Sequence, residues 1–263
     1  MAEFADHFSG HARQYAEFRP TYPPALFQFV AGLSAAHHLA WDSATGNGQA
    51  AVGLAGYYER VLATDASAAQ IAYATPHPRV EYRVAMGEES GLPDGAADLV
   101  TVAQSMHWLD PAAFFEEATR VLAPGGGVAV WGYGLCSLGA DLDPPLHDLY
   151  HGVLGAYWPP ERRMVDEGYR GLELPFEEVR APEMAMERPM SLGDVEGYLY
   201  TWSATRRYMT KEGRDPIAPF IARIRNAWGG EEGKRVVRWP LHVRAGTRRA
   251  EGGSVRANEG AGR

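Results

Sequence analysis

Cysteine is almost absent from this chain. Its single cysteine, Cys136, cannot form a disulfide within the chain, and such sparing use is typical of proteins from reducing compartments. A zinc site built from several cysteines is excluded for the same reason. The cysteine content therefore favours a cytoplasmic location.

Long apolar runs and an excess of basic residues are also missing. No stretch approaches the run of about 18 apolar residues that a membrane span requires, and the segment MAEFADHFSG lacks the basic and apolar regions of a signal peptide. The 25 Lys and Arg are outnumbered by 33 Asp and Glu, whereas a nucleic-acid surface needs clustered basic side chains. We therefore expect a cytoplasmic protein without nucleic-acid or membrane partners, and its oligomeric state stays open.

Short strand patterns alternate with helical patterns in the first half of the chain. The strand candidates are HLAWDSA, RVLATDAS, VEYRVAM, AADLVTVAQS and GVAVWGYG. This alternation predicts a parallel sheet with helices on both faces. Ligands of such sheets bind at the carboxyl ends of the strands, so the residues that follow each strand are the candidates for a binding site.

We predict a single domain over residues 1–246. Residues 1–134 form its cofactor-binding half, and residues 135–234 form an insertion with the acceptor-side elements. The segment RVVRWPLHVRAG predicts a final strand over residues 235–246. The remaining residues, 247–263, are rich in glycine and arginine and are expected to form a disordered tail.

The turn AWDSATGNGQAA, after the first strand candidate, is typical of more than one kind of site. Its GNGQAA part fits a loose dinucleotide fingerprint, with Ala51 as the third small residue and Asp65 as the acid for a ribose. A nicotinamide cofactor would place its pyrophosphate at the start of the next helix. S-adenosylmethionine (SAM) has no phosphate and carries an ammonium and a sulfonium. An ordinary turn between a strand and a helix is the third interpretation.

Acidic residues around the turn separate these interpretations. Asp42 precedes the turn, Asp65 ends the second strand, and Glu88 and Glu89 follow the third strand. Each acid alone is equally consistent with a turn cap or a solvated loop. Their ordered combination favours SAM over a pyrophosphate.

These motifs resemble class I SAM-dependent methyltransferases, within them the methyltransferase domain 11 group that includes trans-aconitate methyltransferase-like proteins. The matching stretches are FSGHARQYAEFRPTYP, WDSATGNGQAA, ATDASAAQI, GEESGLPDGAADLVTVAQSMHWLD, RVLAPGGGVAVWGYG, YLYTWSATRRY and RWPLHVRAG. The resemblance implies a Rossmann-like class I methyltransferase fold. Its seven-stranded, mostly parallel sheet would have an antiparallel C-terminal strand and a helical insertion over the active site.

The resemblance also implies which residues bind the methionine part of SAM. Asp42, Gly46 and Gly48 would line it, together with Ala44, which stands where many members have a glycine. Gln104 would lie near the sulfonium.

Further cofactor contacts are implied for the adenosine and carboxylate. Asp65 would accept bonds from the ribose hydroxyls, and Ala66 and Glu88 would lie near the adenine. In the N-terminal segment, Tyr15 and Arg19 would fold over the cofactor, and Arg19 would pair with its carboxylate or else form a surface salt bridge. Met86 stands where many members have an acid.

The acceptor side is less defined by the sequence. His107 is the candidate base, because an imidazole with an ordinary pKa near 6.5 suits proton abstraction; the alternative is that His107 and Trp108 lock a loop by packing. The candidate substrate residues are Trp108, Tyr133, Trp202 and Tyr208, and aromatic residues at such spacing are equally typical of a core.

Two further pairs of residues bear on the acceptor side. Arg206 and Arg207 are positioned to recognise an acidic acceptor. No metal is expected, because His147 and His151 lack a third ligand.

We therefore predict an enzyme that transfers the methyl group of SAM to a small molecule and releases S-adenosylhomocysteine (SAH). Two alternatives stay open. One is a nicotinamide-dependent oxidoreductase that uses the same turn, and the other is a SAM-binding module without catalysis.

Overall fold

The computed structural model describes residues 18–230 and 233–249. Tyr15 and residues 250–263 of the predicted tail lie outside the described residues. No helix within the two described ranges is long and apolar enough to cross a membrane.

A sheet of eight strands forms the centre of the described structure. The strands are β1 (Leu39–Ser43), β2 (Arg60–Asp65), β3 (Val80–Val84), β4 (Ala97–Ala103), β5 (Leu122–Tyr133), β6 (Glu177–Val179), β7 (Met184–Ser191) and β8 (Lys234–Thr247). Their order is β3-β2-β1-β4-β5-β8-β6, with β7 also paired to β8. Strands β1 to β5 pair in parallel, whereas β8 is antiparallel to its neighbours. The predicted α/β class, Rossmann-like fold and antiparallel C-terminal strand are confirmed.

Helices connect these strands. The α-helices are α1 (Pro24–Ala31), α2 (Gln49–Leu54), α3 (Ala68–Ala72), α4 (Pro111–Val121), α5 (Asp143–His147), α6 (Arg162–Asp166), α7 (Leu192–Tyr200), α8 (Ser203–Glu212) and α9 (Ile217–Trp228). Short 3-10 helices span Met106–Trp108 and Gly155–Tyr157, and a π-helix spans Asp148–Val153.

The sheet has eight strands instead of the predicted seven because its edge strand is interrupted. Both β6 and β7 pair with the edge of β8 that faces away from β5. Between them, the four residues 180–183 face only three residues of β8, 242–244. Pro182 lies in this interruption and has no N–H to donate to a ladder. One bent edge strand is thereby divided into two short ones.

Local sequence signals explain several helix starts. Asp110 caps α4 by accepting from the N–H groups of Ala112 and Ala113, and Pro111 occupies the first helical position, where its missing N–H costs nothing. Ser191 and Asp194 form a reciprocal capping box at the start of α7. Short-range patterns of this kind are readable directly from the sequence.

The two faces of the sheet carry separate apolar clusters. Along β5, Ala129 and Trp131 belong to one cluster, whereas Val128 and Val130 belong to the other, because alternate side chains of a strand point to opposite faces. The burial of both faces explains why the central strands are continuous apolar runs. The carboxyl ends of β1, β2 and β4 therefore belong to a sheet that is packed on both faces.

The C-terminal strand extends slightly beyond its predicted limits. β8 covers Lys234–Thr247, one residue more at each end than the predicted strand. The N–H of Arg248 donates to the carbonyl of Gly126 over 2.8 Å, and Arg248 accepts from Gly125 over 3.0 Å. The first two residues of the predicted tail, Thr247 and Arg248, are thus hydrogen-bonded into the sheet beside β5.

Candidate functional site

The turn after β1 is held in the left-handed backbone region. The φ angles of Ala44, Gly46 and Gly48 are 51°, 58° and 82°. Glycine adopts this region freely, whereas an L-residue such as Ala44 loses about 1–2 kcal/mol there. The alanine therefore retains a backbone conformation that favours glycine.

The two glycines of this turn have different surroundings. Among the described residues, a Cβ atom added to Gly46 would meet no atom within 4 Å, whereas one added to Gly48 would overlap the hydroxyl of Tyr82. Gly48 is thus required by protein packing. Gly46, by contrast, is not crowded by any residue of the described ranges.

Asp65 connects this turn to the end of β2. Its Oδ2 atom accepts from the N–H of Gly46 over 2.9 Å, and its Oδ1 atom accepts from the N–H of Ser67 over 2.8 Å. Ala66 lies between Asp65 and Ser67 in the sequence. Asp65 therefore places a carboxylate at the point where the turn after β1 meets the end of β2.

Asp42 lies beneath the turn and is fully buried. Its carboxylate accepts from the hydroxyls of Thr45 and Thr101. Burial raises the pKa of Asp42 to about 6 against the lowering effect of these two bonds, and the Asp65 carboxylate adds to the rise. Asp42 therefore braces the ends of β1 and β4 from a fully buried position.

The loop after β3 is anchored to α4 by a buried carboxylate. Glu117 accepts from both the N–H and the hydroxyl of Ser90, and Arg120 donates to it over 2.8 Å. Glu88, two residues before Ser90, is half-buried and accepts from the N–H of Asp110 over 3.1 Å. The loop that contains Glu88 is thus fixed at both ends.

Gln104 follows β4 with a left-handed φ of 57°. Its side-chain amide donates to the carbonyl of Tyr133 over 3.0 Å and accepts from the N–H of Tyr133 over 2.7 Å. Both polar atoms of the amide are therefore engaged by the end of β5. A non-glycine residue with a left-handed φ at the carboxyl end of a strand is often part of a functional site.

Arg19 joins the N-terminal part of the described chain to this region. Its Nε atom donates to Thr201 over 3.1 Å, and its Nη1 atom donates to the hydroxyl of Tyr133 over 3.2 Å. The guanidinium carbon lies 5.3 Å from the ring centre of Tyr198. Arg19 thus lies beside Tyr133.

His107 lies in the 3-10 helix after β4, next to the exposed Trp108. The two ring centres are 4.7 Å apart. Burial lowers the pKa of His107 to about 3, and the positive charge of Arg162 contributes to the fall. Its buried Nδ1 atom has no hydrogen-bond partner among the described residues. His107 is therefore a neutral imidazole at physiological pH.

A cavity of about 60 Å³ lies between these loops and the helices that follow β5 and β7. Its wall includes Arg19, Gln104, His107, Trp108 and Trp202. These predicted residues, far apart in the sequence, are therefore brought to one cavity.

Three other predicted acceptor-side residues, Tyr133, Arg207 and Tyr208, are not part of this wall. Tyr208 packs against Tyr157, with ring centres 4.9 Å apart, and is not among the residues that line the cavity. Arg207 is exposed and donates to the carbonyl of Tyr157. Arg206, by contrast, lines the cavity.

Sequence reasoning missed Arg162 and Tyr150, which also line this cavity. The Nε atom of Arg162 donates to the hydroxyl of Tyr150 over 3.1 Å and to Asp166 over 3.2 Å. The segment that contains them offers no strand signal or known motif. The only local signal is the four-residue spacing of Arg162 and Asp166, which places the two side chains one helical turn apart and favours an ion pair.

Comparison with known proteins identifies the family. The model of the family described as Methyltransferase domain matches residues 41–130. A Dictyostelium discoideum protein named "putative methyltransferase" is 34% identical over 223 residues, which are 83% of this chain and 84% of that protein. The chain belongs to the methyltransferase family. The resemblance to class I SAM-dependent methyltransferases is thereby confirmed.

Further similarities agree with this assignment. A solved structure from Anaeromyxobacter dehalogenans is described as a "putative type II methyltransferase". It is 42% identical to this methyltransferase in sequence and superimposes with a TM-score of 0.84. The similarity covers 88% of this chain and 99% of that chain. A Mycobacterium tuberculosis protein named as an uncharacterized methyltransferase is 32% identical over 126 residues, 47% of this chain and 51% of its own. None of these names specifies an acceptor, and the narrower likeness to trans-aconitate methyltransferases stays a prediction.

Proposed function

We propose that this methyltransferase transfers the methyl group of SAM to a small-molecule acceptor by in-line displacement and releases SAH. The observation that carries the proposal is the space next to Gly46, which no residue in the described parts of the chain fills, beside the carboxylate of Asp65. The turn leaves room for a ligand at the point where its backbone meets an acid. The single cysteine keeps the cytoplasm as the expected location.

The residues around this space suit the parts of SAM. Asp65 would accept bonds from the ribose hydroxyls, and the backbone at Gly46 would pass close to the methionine part. Ala66 and Glu88 would lie near the adenine. Arg19 would face the carboxylate of SAM, in addition to the contacts that it makes with Thr201 and Tyr133.

Charge distinguishes SAM from a nicotinamide dinucleotide at this turn. The carboxylates of Asp42 and Asp65 are close enough that Asp65 raises the pKa of Asp42. A pyrophosphate would add two negative charges next to these acids, whereas an ammonium and a sulfonium would be attracted to them. The pair therefore favours the cationic cofactor.

The chain's own contribution to methyl transfer is mainly positioning. Bound SAM supplies a methyl group that is activated by its sulfonium. Trp108 and Trp202, on the cavity wall, would hold the acceptor in line and exclude water. A neutral His107 has a lone pair for an acceptor proton, but a pKa of about 3 makes it a weak base. We therefore propose that His107 contributes a hydrogen bond to the acceptor.

Calorimetric titration tests the cofactor directly. We expect SAH and SAM to bind to the protein and NAD to give no heat of binding. Tight binding of NAD without binding of SAH would instead establish the oxidoreductase alternative.

A second measurement tests catalysis. Incubation of the protein with SAM and a panel of small-molecule acceptors should release SAH faster with at least one acceptor than without any. SAH binding without such acceleration for any acceptor would favour the SAM-binding module.

A further inference from the structure

The cavity beside Gln104 and His107 is strongly biased toward positive charge. Of the described residues that line it, the charged ones are three arginines, Arg19, Arg162 and Arg206, and none is an Asp or Glu. The protein as a whole has a net charge of −8. A cluster of guanidinium groups in an acidic protein therefore calls for a local explanation.

Arg162 is a largely enclosed member of this cluster. Its side chain is only 15% exposed, and its Nε atom donates to Tyr150 and Asp166. Its two Nη groups make no hydrogen bond to any residue in the described ranges. A largely buried guanidinium with unused donors is costly unless a ligand satisfies them.

Neighbouring side chains hold this guanidinium in one orientation. The Tyr150 hydroxyl accepts from Arg162 and donates to Asp166 over 2.8 Å. The guanidinium carbon lies 5.2 Å from the ring centre of Trp158. These contacts engage the Nε side and one flat face, so the edge formed by the two Nη groups is left for a partner.

We propose that Arg162 is a specificity-determining residue that binds a carboxylate of the methyl acceptor through its two Nη groups. The acceptor is then an organic anion, and its apolar body lies against Trp158 and Trp202. This assignment rests on the proposed methyltransferase function.

The geometry of the groups involved supports a carboxylate. A guanidinium edge matches the two oxygens of a carboxylate with two parallel hydrogen bonds. The ring centres of Trp158 and Trp202 are 5.5 Å apart, and Trp202 is buried, so these rings supply an apolar wall next to the cation. His107 is neutral and does not compete for the anion.

The test compares carboxylic acids with their amides. Wild-type protein loaded with SAH is titrated calorimetrically with benzoate, cinnamate and indole-3-acetate and with the three corresponding carboxamides. We expect at least one acid to bind about tenfold more tightly than its amide, the preference expected from a charged hydrogen-bonded pair. Equal binding within all three pairs would overturn the proposal.

Two variants locate the preference. Arg162→Gln should remove the preference for the acid, and Arg162→Lys should retain only part of it, because an ammonium lacks the two-pronged edge. Arg163→Gln is the matched control, since Arg163 is the next residue of α6, carries the same charge, is 82% exposed and pairs with Glu167. Loss of the preference in Arg163→Gln as well would show that general charge, and not Arg162, is responsible.

A titration with SAH alone separates this proposal from the proposed function. We expect SAH to bind equally to the wild type, Arg162→Gln and Arg163→Gln. Failure of SAH to bind to the wild type would overturn the methyltransferase site itself. Weaker SAH binding to Arg162→Gln alone would show that Arg162 binds the carboxylate of the cofactor, which would overturn its role toward the acceptor.

Discussion

The N–H of Gly46 donates to the carboxylate of Asp65 over 2.9 Å. This bond joins the turn after β1 to the last residue of β2 and makes one unit of two motifs that are 19 residues apart. No atom of the described residues lies within 4 Å of the position that a Cβ atom of Gly46 would take. The proposed cofactor site therefore rests most directly on these two residues.

We predict that Gly46→Val weakens SAH binding by at least about tenfold, because its side chain would occupy the space next to Gly46. Valine at a positive φ should also lower the free energy of unfolding by about 1–2 kcal/mol. Calorimetry measures the first effect and urea unfolding the second.

Gly95→Val is the matched control for this substitution. Gly95 has a φ of 64°, close to the 58° of Gly46, and a Cβ atom there also meets nothing within 4 Å. The control should lose similar stability and retain SAH binding. Equal affinity of both variants for SAH would contradict the assignment of Gly46.

Gly48→Ala should act on stability instead of directly on the ligand. Its Cβ atom would overlap the Tyr82 hydroxyl, and overpacking of this kind typically costs about 1–3 kcal/mol. In a double-mutant cycle, the cost of Gly48→Ala should fall in a Tyr82→Ala background to the left-handed strain of about 1–2 kcal/mol at a φ of 82°, because the obstructing ring is gone. Additive costs would show that Tyr82 is not the obstacle.

Ala44→Gly should stabilise the protein. Ala44 has a φ of 51°, and removal of its Cβ relieves the left-handed strain by more than the added freedom of the unfolded chain costs, for a gain of up to about 1 kcal/mol. Ala222→Gly, at an exposed position inside α9, should instead lose about 1 kcal/mol. Similar losses in urea unfolding of both variants would refute the strain at Ala44.

The imidazole of His107 should stay neutral well into the acid range. Its pKa in the folded protein is about 3, and an unfolded histidine has a pKa near 6.5. Its NMR ring signals, assigned by comparison with His107→Asn, should not shift between pH 7.5 and 5. A titration with a midpoint near 6.5 would contradict the predicted burial.

The same difference makes His107 destabilising at low pH. The unfolded chain takes up the proton below its pKa of 6.5 and the folded chain does not. Stability from this source is complete above pH 6.5 and falls as the pH decreases toward 3. His107→Asn should therefore lose less stability than the wild type between pH 7 and 5, as measured by urea unfolding.

Asp42 should have the opposite dependence on pH. Its pKa is about 6 in the folded protein against 3.8 for the unfolded group, so the folded state holds more protons between these values. Stability therefore falls as the pH rises from about 4 to 6, by about 3 kcal/mol in total. Asp42→Asn should lack this decline. Parallel unfolding free energies for the variant and the wild type from pH 4 to 7 would contradict the raised pKa.

Several elements of the fold are readable from local patterns. The five parallel strands follow from short apolar runs between helical segments, and the caps Asp110 and Ser191 mark helix starts. The division of the edge strand into β6 and β7 has a local reason as well, because Pro182 lacks the N–H that a continuous ladder needs. These signals act over a few residues, which is why one sequence suffices to find them.

The site divides differently between sequence and structure. The positions of Gly46, Asp65 and Gln104 at strand ends are predictable because parallel strands bring their carboxyl ends to one edge. The engagement of Gln104 by the backbone of Tyr133 was not predicted, since it joins residues on two different strands. Tyr208 shows the converse. The sequence groups it with Trp202 as a candidate substrate residue, but in the structure it does not line the cavity.

The amino-acid sequence by itself determined the α/β class, the order of the motifs and the chemistry of the glycine turn, because these depend on local periodicity, capping and residue type. Only the tertiary structure decided that Gly46 is not crowded by any described residue while Gly48 packs against Tyr82, and that Arg162 lies near His107. Free volume, burial and the resulting pKa values depend on which distant residues pack together. That packing is a property of the whole folded chain.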